Sequence, residues 1–282
     1  MDLQSFLPLA EQFKAVFLDS YGVLKNYKGL IDGVQDTIAG LREKGIAIRI
    51  LTNDASRSQE QQVESFSRLG LDGFETHEVI TSGMMAKHFL QHKITEGKIA
   101  YLGTENSAHY ILQSGLQHIA VTDIDLDNIA DISAFVFLDD EGFDWNTDIN
   151  KTINLLRRKI IPVIVANSDK LYPVSKNDVA VAAGGIARLV ESMMNRKFIH
   201  FGKPDTQMFT YAYNRLKQRI GPITKKEILM VGDNLNTDIL GGNKFGVKTT
   251  LVLSGNTRED NAITQINSSG IIPDFICRSI TR

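Results

Sequence analysis

Short apolar runs alternate along the chain with amphipathic stretches. Six runs are apolar almost without interruption: Ala15–Leu18, Ala47–Leu51, Ala134–Leu138, Pro162–Ala166, Ile228–Val231 and Lys248–Leu253. Continuous rather than alternating hydrophobicity marks strands covered on both faces, as in a parallel sheet. Between them, 3.6-residue spacing predicts helices over Val34–Glu43, Gln59–Arg68, Asp148–Lys159 and Gln207–Lys217. Gly45, Gly70 and Gly246 each follow a helix-like segment, where a left-handed C-cap favours glycine. Strands alternating with helices predict an α/β fold built on a doubly wound parallel sheet.

The runs ending at Leu18, Leu51 and Val231 pass directly into polar residues: Asp19, Thr52-Asn53 and Gly232-Asp233. Ligands of open α/β sheets sit beyond the carboxyl ends of the strands, so chemistry is expected there. The region between the second and third of these positions carries its own βα pattern. It reads as an inserted α/β domain over residues 82–195, with residues 1–81 and 196–282 forming the core.

A chain of 282 residues accommodates two domains and buries enough surface to fold without metals or disulfides. Lys+Arg 31 against Asp+Glu 33 leaves no basic excess, and the aromatics do not cluster with basic residues, so nucleic acid is not an expected partner. The single cysteine, Cys277, points to a reducing compartment. The N-terminal stretch lacks the pattern of a secretory leader, and no apolar run approaches the ~20 residues needed to span a bilayer. The expectation is a cytoplasmic protein with no membrane association.

Four dispersed elements carry the candidate chemistry: Asp19 in AVFLDSYGVL, Thr52 and Asn53 in IRILTND, Lys203 in FGKPD, and Asp233 and Asp238 in ILMVGDNLNTD. Each alone would pass for an ordinary polar residue ending a strand. Together, two carboxylates, a lysine and a hydroxyl suit phosphoryl chemistry. A hard ion such as Mg²⁺ takes oxygen ligands, which Asp19 and Asp233 could supply. Lys203 and Thr52 could then neutralise and hydrogen-bond a phosphoryl group.

In that order the elements resemble the four motifs of the haloacid dehalogenase-like hydrolase superfamily, over a stretch from Phe17 to about Leu253. The insert, with ANSDKLYP and the later GKPD, resembles the class IIA branch, which contains p-nitrophenyl, nucleotide and sugar phosphatases. The resemblance implies a Rossmann-like core with an inserted cap, Mg²⁺ as cofactor, a small phosphorylated metabolite as partner, and a homodimer formed through the cap. It makes Asp19 the nucleophile of an aspartyl-phosphate, with Lys203 orienting it, Thr52 and Asn53 holding the phosphoryl group, and Asn167 and Asp169 facing the substrate. Asp233 completes the metal site and Asp238 steadies it.

One position departs from the pattern. Phosphatases of the superfamily carry an aspartate two residues after the nucleophile as general acid and base, and here Tyr21 stands there. Its backbone carbonyl could still ligate Mg²⁺. A phenol is a poor base near neutral pH, and a positioned acid or base is worth about 10²–10⁴ in rate. Slow turnover on alkyl phosphates is therefore expected. The alternatives are a phosphoester-binding protein with little turnover and, further off, a dehalogenase, whose first motif reads Asp-x-Tyr-Gly.

Other signals carry less. His88 and His92 would share a helix face without a carboxylate partner. Asp123, Asp125 and Asp127 fail the calcium-loop pattern, which wants glycine at Asn128 and glutamate at Ala134. Asp139-Asp140-Glu141 reads as a charged loop. GGNKFGVKTT is a broken phosphate loop, and Gly184-Gly185 opens a helix that could meet an anion or form a hinge.

Overall fold

Every side chain of the strand Ala15–Leu18 is buried, as its uniformly apolar sequence requires. In the computed structural model, which describes residues 3–175 and 177–281, this strand is central to a six-stranded sheet. The sheet order is Phe275–Cys277, Lys248–Val252, Ile228–Gly232, Ala15–Leu18, Ala47–Thr52 and Val79–Thr81. Leu18 lies opposite both Val231 and Ile50 in parallel register, so residues just past these strands share one sheet end.

Alternate residues separate two layers. Val16, Leu18, Ile48, Ile50, Leu229 and Val231 join a cluster with Phe6, Val34, Ile38, Leu41 and Phe66, drawn from three N-terminal helices. The opposite phase meets the helices Thr206–Ile220 and Leu240–Phe245. Glycine is needed there: a Cβ at Gly241 would come within 2.7 Å of the Phe209 ring, and one at Gly242 within 2.5 Å of Thr249. The glycines of the broken phosphate loop thus serve helix packing.

The chain divides into two compact units. One comprises Met1–Thr52, Gln59–Ile80 and Lys203–Arg282; the other comprises Asn53–Ser58 and Thr81–Gly202. The second unit has its own five-stranded parallel sheet, ordered Ile199–His200, Val163–Val165, Ile132–Phe137, Lys98–Leu102 and Gln117–Ala120. Because Ile199–His200 pairs with Val163–Val165, this unit runs to Gly202, beyond the 195 read from the sequence. It also takes in Asn53–Ser58: Tyr110 donates its hydroxyl to the Arg57 carbonyl at 2.7 Å, and Ser82 donates to the Asn53 carbonyl at 2.7 Å.

The helices Val34–Glu43 and Gln59–Arg68 lie at the expected residues, and those at Thr147–Arg158 and Thr206–Ile220 differ only at their ends. Gly45, Gly70 and Gly246 all have positive φ. Gly184-Gly185 lies in the first turn of the helix Ala183–Met194. A Cβ at Gly184 would lie 2.5 Å from the Asp169 carbonyl oxygen, so the pair lets a helix approach the 168–170 backbone closely. Among the described residues no helix is long and apolar enough to cross a membrane.

Cys277 is buried in the core, and burial pushes its thiol up to about 11. Near pH 8 the reactive thiolate would be about one part in a thousand. Native protein should therefore resist a thiol reagent such as DTNB, while denatured protein should release one equivalent of chromophore rapidly.

Candidate active site

Asp19 follows the strand Ala15–Leu18 and donates its backbone N–H to the Val231 carbonyl at 2.9 Å. Asp233 follows the neighbouring strand Ile228–Gly232. Adjacent parallel strands ending in register thus bring together two aspartates far apart in sequence. The chain then forms a π-helical turn over Leu235–Ile239, a wide geometry frequent at functional sites. It returns Asp238 towards the sheet: Oδ2 accepts from the Asn234 N–H at 3.1 Å, while Oδ1 lies 2.7 Å from Lys203 Nζ.

Lys203 joins the constellation. Its side chain is 2% exposed, and Nζ donates to Asp19 Oδ1 at 2.5 Å. Burial opposes a charge on this lysine. Asp19 and then Asp238 outweigh that cost, so the ammonium is held above the ordinary lysine value. Lys203 therefore stays protonated and fixes the orientation of both carboxylates.

One carboxylate oxygen from each of Asp19, Asp233 and Asp238 lies within 4.8 Å of the others, the only such acidic or metal-ligating cluster among the described residues. Three carboxylates and one buried ammonium leave an excess of negative charge. Burial, then Asp19 and Asp238, push the Asp233 carboxyl well above the usual range; burial raises Asp238 to about 7 against the opposing pull of Lys203. Asp233 Oδ1 finds no hydrogen-bond partner among the described residues. An oxygen-rich, electron-rich, underbonded site of this kind fits a hard divalent cation.

The other oxygen of Asp233 is held by residues that the sequence reading passed over. Oδ2 accepts from the Asn256 backbone N–H at 2.6 Å and from its side-chain amide at 2.9 Å. A Cβ at Gly22 would lie 2.1 Å from this oxygen, and one at Gly255 would lie 1.9 Å from it. Both positions therefore require glycine for close approach, and Gly22 has φ +77° as well. The available signal was SGN immediately after the run Lys248–Leu253, at the same carboxyl end of the sheet.

Tyr21 is half-buried beside this cluster. Burial raises its phenol above the ordinary tyrosine value; an interaction with the Tyr27 backbone opposes the shift, and the Asp233 charge adds to it. Tyr21 keeps its proton at neutral pH. Thr52 ends its strand within the same unit and is buried. Asn53, Asn167 and Asp169 group separately, in the second unit. Asn53 Nδ2 donates to Asp169 Oδ1 at 2.9 Å, and the Asp169 N–H donates to Asn167 Oδ1 at 2.9 Å.

Of the signals set aside, His92 Nδ1 lies 2.7 Å from the His88 carbonyl oxygen within one helix, a local contact. Asp139 and Asp140 are more than a surface loop. Burial raises both carboxyls, while Thr104 and Tyr172 donate to them at 3.0 and 2.9 Å.

A family model described as haloacid dehalogenase-like hydrolase matches residues 16–117, and one described as HAD-hydrolase-like matches residues 200–282. A solved structure from Cytophaga hutchinsonii, described as a possible sugar phosphatase of the HAD superfamily, is 51% identical. It matches with a TM-score of 0.96 over 100% of this chain and 99% of that one. Chloroplastic phosphoglycolate phosphatase 1A of Arabidopsis thaliana is 29% identical over 97% of this chain and 77% of its own. Ribonucleotide monophosphatase NagD of Escherichia coli is 28% identical over 95% and 96%.

The raised carboxyls make the metal-free protein pH-sensitive. A group whose folded pKa exceeds its unfolded value contributes stability at low pH and loses it as pH rises through the folded pKa. For Asp233 and Asp238 the loss begins near their ordinary 3.8 and, for Asp238, extends through about 7. With a chelator present, Asp233→Asn should unfold at least ~2 °C above the parent protein near pH 7. That advantage should vanish near pH 4, as paired thermal melts would show.

Proposed function

The chain belongs to the haloacid dehalogenase-like hydrolase superfamily, and on that footing we propose that it is a Mg²⁺-dependent phosphatase of small phosphate monoesters such as sugar phosphates or nucleotides. The observation that carries this reading is the Asp19–Lys203–Asp238 ion-pair chain beside Asp233, with one Asp233 oxygen underbonded. A halide-displacing enzyme has no use for that surplus of buried carboxylate, which favours the phosphatase.

In this mechanism Asp19 and Asp233, with the Tyr21 backbone carbonyl, would hold the cation, and Asp238 would steady them through Lys203. When bound, the ion offsets charge on the phosphoryl oxygens and on the attacking carboxylate. Thr52 hydrogen-bonds the phosphoryl group. Asp19 attacks phosphorus, the bond to the ester oxygen breaks, and the departing oxygen takes a proton from solvent. Water then attacks the aspartyl-phosphate at phosphorus and loses its proton to bulk solvent. The bond to Asp19 breaks, inorganic phosphate leaves, and the carboxylate is restored.

The second half needs a proton acceptor for the attacking water. A phenol raised above its ordinary value is the wrong partner for that task. Breakdown of the aspartyl-phosphate is therefore the slow step in this reading, and leaving-group quality matters mainly in the first half.

With Mg²⁺ and p-nitrophenyl phosphate, a burst of about one equivalent of nitrophenol should precede slow turnover. Asp19→Asn should abolish both phases, and a chelator should do the same. No hydrolysis by folded, Mg²⁺-supplied protein across a panel of phosphate monoesters would refute the proposal and leave a phosphoester-binding protein. Tyr21→Asp should remove the burst and raise steady-state turnover of alkyl phosphates at least about tenfold, towards the 10²–10⁴ typical of a positioned acid–base group. An unchanged rate in folded protein would refute the assigned role of Tyr21.

A further inference from the structure

Arg49 sits in the middle of the strand Ala47–Thr52 and is 3% exposed. A charged residue inside a central parallel strand runs against the apolar rule for such positions. Arg49 Nη1 donates to its neighbour's carbonyl, Ile48 O, at 2.6 Å, but its buried Nε has no hydrogen-bond partner among the described residues. No carboxylate lies within ion-pair distance of Arg49 among those residues. Burial pushes its guanidinium below the ordinary arginine value. Glu78 opposes that shift, and the charges of Arg219 and Arg42 add to it. The protein thus keeps in its interior a cation with no ion-pair partner among the described residues.

Arg49 lines a cavity of about 640 Å³ in the first unit, together with Thr76, His77, Arg215, Gln218 and Arg219. The helix Thr206–Ile220 supplies Arg215, Gln218 and Arg219 at spacings that place them on one face, and the 3-10 turn Thr76–Glu78 supplies Thr76 and His77. The nearby carboxylates are already engaged. Glu78 accepts both Nη atoms of Arg42 at 3.2 and 2.8 Å and the Glu75 N–H at 2.9 Å. The mostly exposed Glu75 is shared between His77 at 2.9 Å and Arg219 at 3.6 Å. Arg215 donates only to the Tyr211 hydroxyl, at 3.2 Å, in the contacts resolved here, and has no ion-pair partner among the described residues.

We propose that this cavity is a second ligand site, separate from the aspartate cluster, which binds a small phosphorylated polyanion through Arg49, Arg215 and Arg219. Planar guanidinium forks match phosphoryl oxygens in pairs, and a buried arginine lining a cavity is preorganised for such a contact. The cavity is large enough for a diphosphate-sized ligand, and three of the side chains lining it are arginines. Nothing in the phosphatase reading uses these residues, so the site stands or falls independently of it.

Inorganic pyrophosphate titrated calorimetrically in the presence of a chelator tests the site. Without a divalent cation the aspartate cluster repels anions, so binding under these conditions reports the arginine cavity. The expected result is saturable binding of one equivalent. The exposed double substitution Arg215→Ala/Arg219→Ala should weaken it at least tenfold without lowering the melting temperature. Arg49→Lys, which keeps the charge but loses the fork, should weaken it at least threefold. Absence of saturable binding, binding that appears only with Mg²⁺, or equal affinity in the folded double variant would each overturn the proposal.

Discussion

The pocket depends on a buried ammonium. Lys203 Nζ sits between Asp19 and Asp238 with its side chain almost wholly out of water, and among the described residues it is the one cation paired with this group of three carboxylates. Removing it would leave neighbouring anions in a low-dielectric interior, where mutual repulsion and lost hydration act together. Its single charge does not balance the group. That imbalance stores an affinity for a second positive charge near Asp233, whose Oδ1 has neither a hydrogen bond nor an ion pair among the described residues.

Geometry around Asp233 then becomes a matter of atoms that are missing. Gly22 and Gly255 bring backbone against Oδ2 where any side chain would collide, and Asn256 ties down the same oxygen with two donors. One oxygen of the carboxylate is anchored, and the other has no hydrogen-bond partner among the described residues. Similar economy appears in the π-helical turn after Asp233, whose wider winding lets Asp238 reach Lys203 while its second oxygen caps the Asn234 amide.

Much of this was legible in the sequence because strand ends announce themselves: Asp19, Thr52 and Asp233 each interrupt an apolar run at its carboxyl end. Lys203 and Asp238 were legible through their motifs. The short strands Val79–Thr81, Gln117–Ala120, Ile199–His200 and Phe275–Cys277 went unseen, since two to four residues, some polar and at sheet edges, carry almost no periodic signal. Asn256 and the two glycines were missed because their importance arises only when distant segments meet. Arg49 gave no separate signal inside IRILT, and only the folded chain shows it to be a buried cation with no ion-pair partner among the described residues.

The place of Ala15–Leu18 within the six-stranded sheet has a consequence for biosynthesis. Its partner on one side, Ala47–Thr52, follows soon after it, but its other partner, Ile228–Gly232, emerges only once the whole second unit has been translated. At ~5–20 residues per second the nascent first half waits on the order of ten seconds or more with an apolar strand edge open to solvent. Such an edge is a template for mispairing. Yield in the cell should therefore be governed as much by what shelters that unfinished edge as by the strength of the completed fold.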